Sequence, residues 1–530
     1  MQKFTGSQFA GYIDIARKQL EERGMLHLWP NFVKASGKLQ SMMYKHELEA
    51  YLRMPRHTGY EILQLEDFPG QGSALVGILD YFYDNKGYVT PYEFRRSCAP
   101  MALMLKLPKF TWEEGETLTA EACFSNWGEA NLDNASICYT IKDLDGTPLF
   151  VKEFNPQSIV RGDAVSLGSL SLDLSGMSKA TKLIISAYMQ GTDLSNEWEV
   201  WVYPHSNDAD KDKLTIVRDV NEMVVKRIME GENLVIQLDK NQIRGNMPPV
   251  FFPVYWTQFD NMGISQTMGI LCNPEHKIFS LFPTEYHTNW QWYDLLRDAH
   301  PLVFDEFGMD KCWNKGFIPT IQVIDGWKTN RKLGVLAEAR MGKGKVVITS
   351  MNLEDSLEHR PSARQFRSSL AEYMNSPYFT PEYVISAEHI YALMKAGNTE
   401  RDEDIISQIS FSNIISSSPA RYISDDLAKT IWEGEIKEKS IPASIIFSLK
   451  KKERIGNINI NWLKGDKDLS YNVYLSLDKD NWGIPIASGK LLNTDKLDID
   501  LQYFHEAMYV RIDFASSKKL SIKEIKLITD

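Results

Sequence analysis

The stretch YEILQLEDFPGQGSALVGILDYFYDNKGYVTPYEFRRSCAP, residues 60–100, decides how this chain is read. It opens on a short strand-like run, Tyr60 to Leu65, and leaves it through the turn-forming Glu66-Asp67-Phe68-Pro69-Gly70-Gln71-Gly72. It closes on Thr90-Pro91-Tyr92-Glu93, which combines a capping box with proline at the first helical position and so predicts a helix start. Upstream, Phe9, Ile13, Ala16 and Leu20 recur at helical spacing and predict a helix over 7–23. A second helix is expected over 37–53, stopping before Pro55, whose ring would cost an interior hydrogen bond. The segment thus offers one strand and several helices with apolar faces, but no sheet for them to cover. Left alone, the faces of 7–23 and 37–53 should form an exposed apolar patch larger than an ordinary monomer carries.

Beyond residue 100 the pattern changes. ETLTAEACFSN, ASICYTIKD, LFVKEF, VSLGSLSLDL, KLIISAYM and EWEVWVY alternate apolar and polar positions, with Asp145-Gly146 as a hairpin signal, and predict an immunoglobulin-like β-sandwich over 101–205. Over 206–385, strands at 233–238, 302–304, 321–324, 333–339 and 345–351 alternate with helical segments and end in a helix from Ala363 to Met374, which predicts an α/β domain with a partly parallel sheet. Residues 386–530, rich in short strands (SIIFSL, IGNININ, YNVYLSL, MYVRIDF, SIKEIKL), predict a second β-sandwich. The fold class is therefore multidomain α/β plus β, and a length of 530 residues suits several cores rather than one.

The net charge of -11 argues against nucleic acid as a partner, because phosphate binding needs clustered cations. No run of about 18 apolar residues occurs, so no membrane span is expected, and the first 24 residues lack the apolar core of a signal peptide. The five cysteines, Cys98, Cys123, Cys138, Cys272 and Cys312, show no C-x-x-C pair and no zinc spacing.

Residues 60–100 resemble the end of the catalytic (β/α)₈ barrel in bacterial family 2 glycoside hydrolases: FPGQG, then LVGILD, then TPYEFRR stand in order, and KASGKLQ (34–40) with YKHELEAYLR (44–53) extends the likeness upstream. GILCNPEH, NWQWYDLL, IQVIDGWKTNRKLGVLAEARMGKGKVV and RPSARQFRSSL resemble the accessory domain that follows the barrel in these proteins, similar in layout to flavodoxin- and glutamine-amidotransferase-like folds. DDLAKTIW, YNVYLSLDKDNW, MYVRIDF and IKEIKL resemble a discoidin (factor V/VIII C-type) jelly roll, a fold shared by many carbohydrate-binding modules. The resemblance implies 1–100 as a barrel end, 101–205 as the immunoglobulin-like sandwich, 206–385 as the accessory domain and 386–530 as the discoidin-like domain. It implies a β-galactosidase-like parent, periplasmic or extracellular in a bacterium, that hydrolyses O-glycosyl bonds with retention through two glutamates. Both glutamates would lie upstream of residue 1, so this chain alone is expected to be inactive, with the N-terminal portion of the enzyme or a second copy of the chain as candidate partners besides a β-linked carbohydrate. The alternative is a non-catalytic glycan-binding or scaffold protein using the discoidin-like domain.

Among the carboxylates, Glu66 and Asp67, with Gln64 beside them, follow the single barrel strand at its C-terminal end, where barrel sites are built, and are candidates for sugar contact. They are not a retaining pair, since adjacent strand residues point to opposite faces; the alternative is loop capping. Trp482 and Tyr422 are candidates for stacking on sugar, against a packing role. Trp432 resembles the core tryptophan of discoidin folds. Trp290, Trp292 and Trp327 either line a groove or pack. No catalytic residue and no cofactor is assigned. Asp425 and Asp426 are candidates for a structural calcium, though two carboxylates fall far short of its six to eight oxygens. Cys272 lacks the glycine elbow of an amidotransferase nucleophile and reads as a buried apolar residue. Gly342-Lys343-Gly344-Lys345 precedes a strand and reads as a turn, not a phosphate loop.

Overall fold

A computed structural model of the chain describes residues 11–529 apart from 55–58, 69–75, 163, 206–213, 246, 252–265, 307–312, 327, 395–404, 417, 425–430, 463–468, 492–495 and 516–518. It divides into two compact units, Met1–Arg218 with Glu222–Leu393, and Asp219–Asn221 with Met394–Asp530. Most of the described regular structure is β-sheet, and no described helix is long and apolar enough to cross a membrane.

In the first unit, helix α1 (Gly11–Glu22) leads to α2 (Trp29–Leu52). The second helix starts eight residues before the expected Gly37. Pro30 sits in its first turn, where a missing N–H costs nothing. Gly37 is small for a different reason: a Cβ there would stand 2.1 Å from the Tyr88 ring. Helix α3 (Pro91–Arg95) begins at the expected capping box, with Thr90 accepting from the Glu93 N–H and Glu93 accepting from the Thr90 N–H. Tyr60–Leu65 is not a strand. The described residues there make bends, followed by an isolated parallel bridge from Glu66 to Leu79. A barrel strand takes its ladder bonds from neighbours on both sides, and among the described residues of 11–95 no such neighbour exists.

The expectation of bare helix faces is overturned. Ala16, Leu20, Ala35, Leu48 and Leu52 are buried. Ala35 packs in one cluster with Leu271 and Ile324, and Leu52 with Ala102, Met104 and Cys123. Glu49, only 1% exposed, ion-pairs with Lys45 and accepts from Asn196 Nδ2 and Trp198 Nε1, each at 2.9 Å. Burial pushes the Glu49 carboxyl up, but Lys45 and His46 outweigh it and hold the pKa below the usual carboxylate value.

The strands that cover the C-terminal end of α2 belong to a sandwich of β1 (Met101–Lys106), β2 (Thr111–Glu113), β3 (Thr117–Asn126), β4 (Leu132–Ala135), β5 (Ile137–Lys142), β6 (Pro148–Glu153), β7 (Gln157–Ile159), β8 (Ala164–Asp173), β9 (Thr181–Met189) and β10 (Ser195–Tyr203). One sheet runs β1-β3-β8, the other β2-β10-β9-β5-β6, with β4 and β7 as a separate pair. The expected hairpin at Asp145-Gly146 joins β5 to β6, with Gly146 at a φ of 82° that its missing Cβ permits.

There follow β11 (Ile216–Val217), helix α4 (Glu222–Glu230), β12 (Leu234–Gln237), β13 (Thr267–Cys272), β14 (Leu302–Val303), β15 (Ile321–Asp325), β16 (Leu333–Met341) and β17 (Gly344–Thr349). The order is β11-β12-β17-β16-β15-β13, with β14 on β16; β11, β12 and β17 are parallel and the rest antiparallel. The turn expected at Gly342–Lys345 links β16 to β17, with Met341 facing Gly344.

The second unit consists of β18 (Ile406–Ser412), β19 (Ile414–Ser416), β20 (Trp432–Ile436), β21 (Ala443–Trp462), β22 (Leu469–Ser476), β23 (Ala487–Leu491), β24 (Lys496–Ala515) and β25 (Lys519–Thr529). All their pairings are antiparallel, in the order β19-β20-β25-β21-β24-β22-β23, with β18 on β21. Strands β21 and β24 are 20 residues each, and their pairing breaks register between Ser448 and Glu453. Before the break β21 pairs with β18 on its other side, and after it with β25. The sheet therefore folds over a single core that holds Val473 of β22 together with Ile525 of β25. Trp432 and Trp462 lie on either side of Ile522 in one row, and Trp432 is fully buried against Phe411, as a core tryptophan should be.

Candidate functional site

Along β24, Val510, Ile512 and Phe514 are wholly buried. By the two-residue period of a strand, Tyr509, Arg511 and Asp513 face the other way. Register sets Tyr474 of β22 opposite Arg511 and Asn472 opposite Asp513. The Arg511 guanidinium donates to Asp513 from Nε at 2.7 Å and from Nη2 at 2.9 Å, and lies 5.4 Å from the Tyr474 ring centroid.

The loop after β22 brings Trp482 to the same spot, its ring centroid 5.8 Å from Arg511. This loop is built from its own polar residues. The Ser476 hydroxyl lies 2.6 Å from the carbonyls of both Asp478 and Asn481 and accepts the Asp478 N–H at 3.0 Å. Asp478 accepts the Asp480 N–H, and Gly483 turns the chain at a φ of 62°. Trp482 is left half-buried beside a half-buried Arg511, over a carboxylate sealed from water.

Such an arrangement suits a polar, ring-shaped ligand. An indole face stacks on C–H surface, and Arg511 spends only two of its five N–H donors on Asp513. A guanidinium fork can then address a pair of neighbouring hydroxyls. Trp482 was visible in the sequence. Tyr474, Arg511 and Asp513 were not, and the alternation in YNVYLS and MYVRIDF was the signal that could have exposed them.

The other candidates fall elsewhere. Asp67 is buried: its Oδ1 accepts from Lys86 Nζ at 2.8 Å and from the Gly77 N–H at 3.0 Å, while Tyr88 and Lys86 both donate to the Gly77 carbonyl. Burial raises its pKa despite the lysine. These contacts make Asp67 a clasp for the 76–88 segment. Glu66 is half-buried and accepts a hydrogen bond from the exposed Tyr83; Gln64 is half-buried. The backbone of Tyr422 lies in a 3-10 turn (Ala420–Ile423), its side chain outside the described residues. Asp425, Asp426, Trp327 and Cys312 also lie outside them, and no metal-type cluster occurs among the described residues.

Trp292 is fully buried and donates to Thr284 Oγ1 at 2.9 Å. Trp290 stacks on Phe110 with ring centroids 4.7 Å apart, so both tryptophans pack. Cys272 lies in the β13 core with its thiol donating to the Glu285 carbonyl, and burial pushes that thiol up to about 12, far from a nucleophile's range.

Two family models match the chain, both described as domains of unknown function: DUF8488 over residues 116–204 and DUF8487 over residues 215–395. No curated protein matches. Among solved structures the chain is similar to CpGH89CBM32-6 produced by Clostridium perfringens, at 24% identity over 23% of this chain and 95% of that one, with a TM-score of 0.20. It is also similar to the family 32 carbohydrate-binding module of C. perfringens NanJ in complex with galactose, at 17% identity over 23% of this chain and 91% of that one, TM-score 0.20. A third is the C-terminal domain of a chitobiase from Bacteroides fragilis, at 16% identity over 24% and 98%, TM-score 0.21.

Proposed function

We propose that this chain is a glycan-recognising part of a carbohydrate-active protein, with residues 386–530 as a discoidin-like module that holds sugar at Trp482, Tyr474, Arg511 and Asp513. The observation that carries the reading is the pairing of a half-exposed indole with a guanidinium that keeps donors to spare. In the same reading, residues 1–100 are the end of a family 2 glycoside hydrolase barrel, 101–205 its immunoglobulin-like sandwich and 206–385 its accessory domain. Asp67, held by Lys86 and Gly77, supports a chain that recognises sugar without cleaving it through these carboxylates.

Isothermal titration of the purified chain against galactan, pectin and xylan tests the proposal. Binding to at least one of them is expected, and silence across all three overturns it.

A further inference from the structure

We infer that the sugar site continues across the outer face of the β18-β21-β24-β22 layer as a band that fits an extended polysaccharide chain, rather than a single terminal sugar. The inference rests on the glycan-binding reading above and adds the form of the ligand. Its basis is strand register. Gln408, Ser448, Tyr509 and Ser476 stand in one row across four strands, with Tyr509 facing both Ser448 and Ser476 and Ser448 facing Gln408. The next row carries Arg511 opposite Tyr474.

At the usual strand spacing of roughly 4.8 Å, a row of four strands is about 14 Å long, room for several pyranose rings. The row ends at Ser476, the residue that pins the Trp482 loop, so one aromatic stands at its end and another, Tyr509, within it. Beyond Tyr509 the row offers the Ser448 hydroxyl and the Gln408 amide, and it is at least partly open to solvent throughout. A protein partner would call for an apolar centre to this face, and besides Ile446, half-buried opposite Arg511, the centre carries the hydroxyls of Ser448 and Tyr509. Alternating ring faces and hydroxyls are what a glycan chain presents.

The test is affinity against chain length. Whichever of galactan, pectin or xylan the protein binds supplies the series, from monosaccharide to hexasaccharide, titrated calorimetrically. At least a tenfold rise in affinity from monomer to hexamer is expected. Ser448→Arg, which blocks the row far from Trp482, should remove that rise and leave monosaccharide affinity within twofold, with an unchanged circular dichroism spectrum. Tyr509→Ala provides a second check with the same expectation. Equal affinity for monomer and hexamer overturns the band while leaving the Trp482 site standing. Absence of binding to every sugar overturns both.

Discussion

The indole N–H of Trp290 donates to Nε2 of His46 at 2.7 Å, joining α2 to the segment that follows β13. That bond requires an imidazole with its proton on Nδ1. Removal from water lowers the His46 pKa from 6.5 to about 4, with Glu49 opposing and Lys45 and Arg53 reinforcing the shift. Between those two values the unfolded chain binds the extra proton and the folded chain does not. Stability is therefore complete above about pH 6.5 and falls as pH drops towards 4, by up to about 3 kcal/mol. Thermal melts from pH 7.5 to 4.5 should show this fall in the first unit, and His46→Gln should flatten it. An unchanged pH slope in that variant would contradict the assignment.

Glu49 is the acceptor for Asn196 and Trp198 while it neutralises Lys45. Replacing it by alanine leaves the half-buried Lys45 with Asn196 Oδ1 but without its carboxylate, and takes the acceptor from the Asn196 and Trp198 N–H groups; breaking such a pair costs about 3–5 kcal/mol. Glu49→Gln, which keeps an acceptor, should cost less. Urea denaturation measures both, and equal losses would show that the charge, which both variants remove, rather than hydrogen bonding is at stake.

Gly37→Ala should destabilise the first unit by about 1–3 kcal/mol, because the new methyl group meets the Tyr88 ring. Tyr88→Phe would remove the hydrogen bonds to Gln40 and Gly77 without making space. The two losses are expected to be non-additive, since the residues touch. A double-mutant cycle reads the coupling, and additive losses would count against the contact.

Trp482→Ala should weaken glycan binding by tenfold or more at little cost to the melting temperature of the second unit. Arg511→Lys should also weaken it, because an ammonium cannot reproduce the planar fork towards Asp513 and the two rings. If Trp482→Ala melts the unit and leaves affinity intact, the indole is a packing residue.

On aryl β-galactosides the purified chain is expected to give no turnover. Glu66→Gln and Asp67→Asn should change nothing in that assay, although Asp67→Asn should lower stability by loosening the Lys86 clasp. Hydrolysis abolished by either substitution would reverse the reading of these carboxylates.

What could be read from the sequence was local. The Thr90–Glu93 capping box, the Asp145-Gly146 hairpin and the strand at Lys345–Thr349 each depend on a few neighbouring residues, and each stands where expected. Tyr60–Leu65 has strand propensity, but propensity expresses itself only against a partner strand. Gly37 looked like a helix start and is instead a space for Tyr88, which follows it by 51 positions. Asp67 has the look of a ligand contact because its lysine comes 19 residues later. The site divides in the same way. An indole in a polar loop is visible in one dimension, while the meeting of Tyr474 with Arg511 depends on the register of β22 against β24.

The two 20-residue strands of the second unit have one more consequence. Since β21 and β24 each take part in both layers, loss of the hydrogen bonds in one layer should be coupled to loss in the other. Opening is then expected to be all-or-none, with amides on both layers exchanging with solvent through the same rare event. Proteolysis of the second unit should then track its global stability rather than the fraying of one edge.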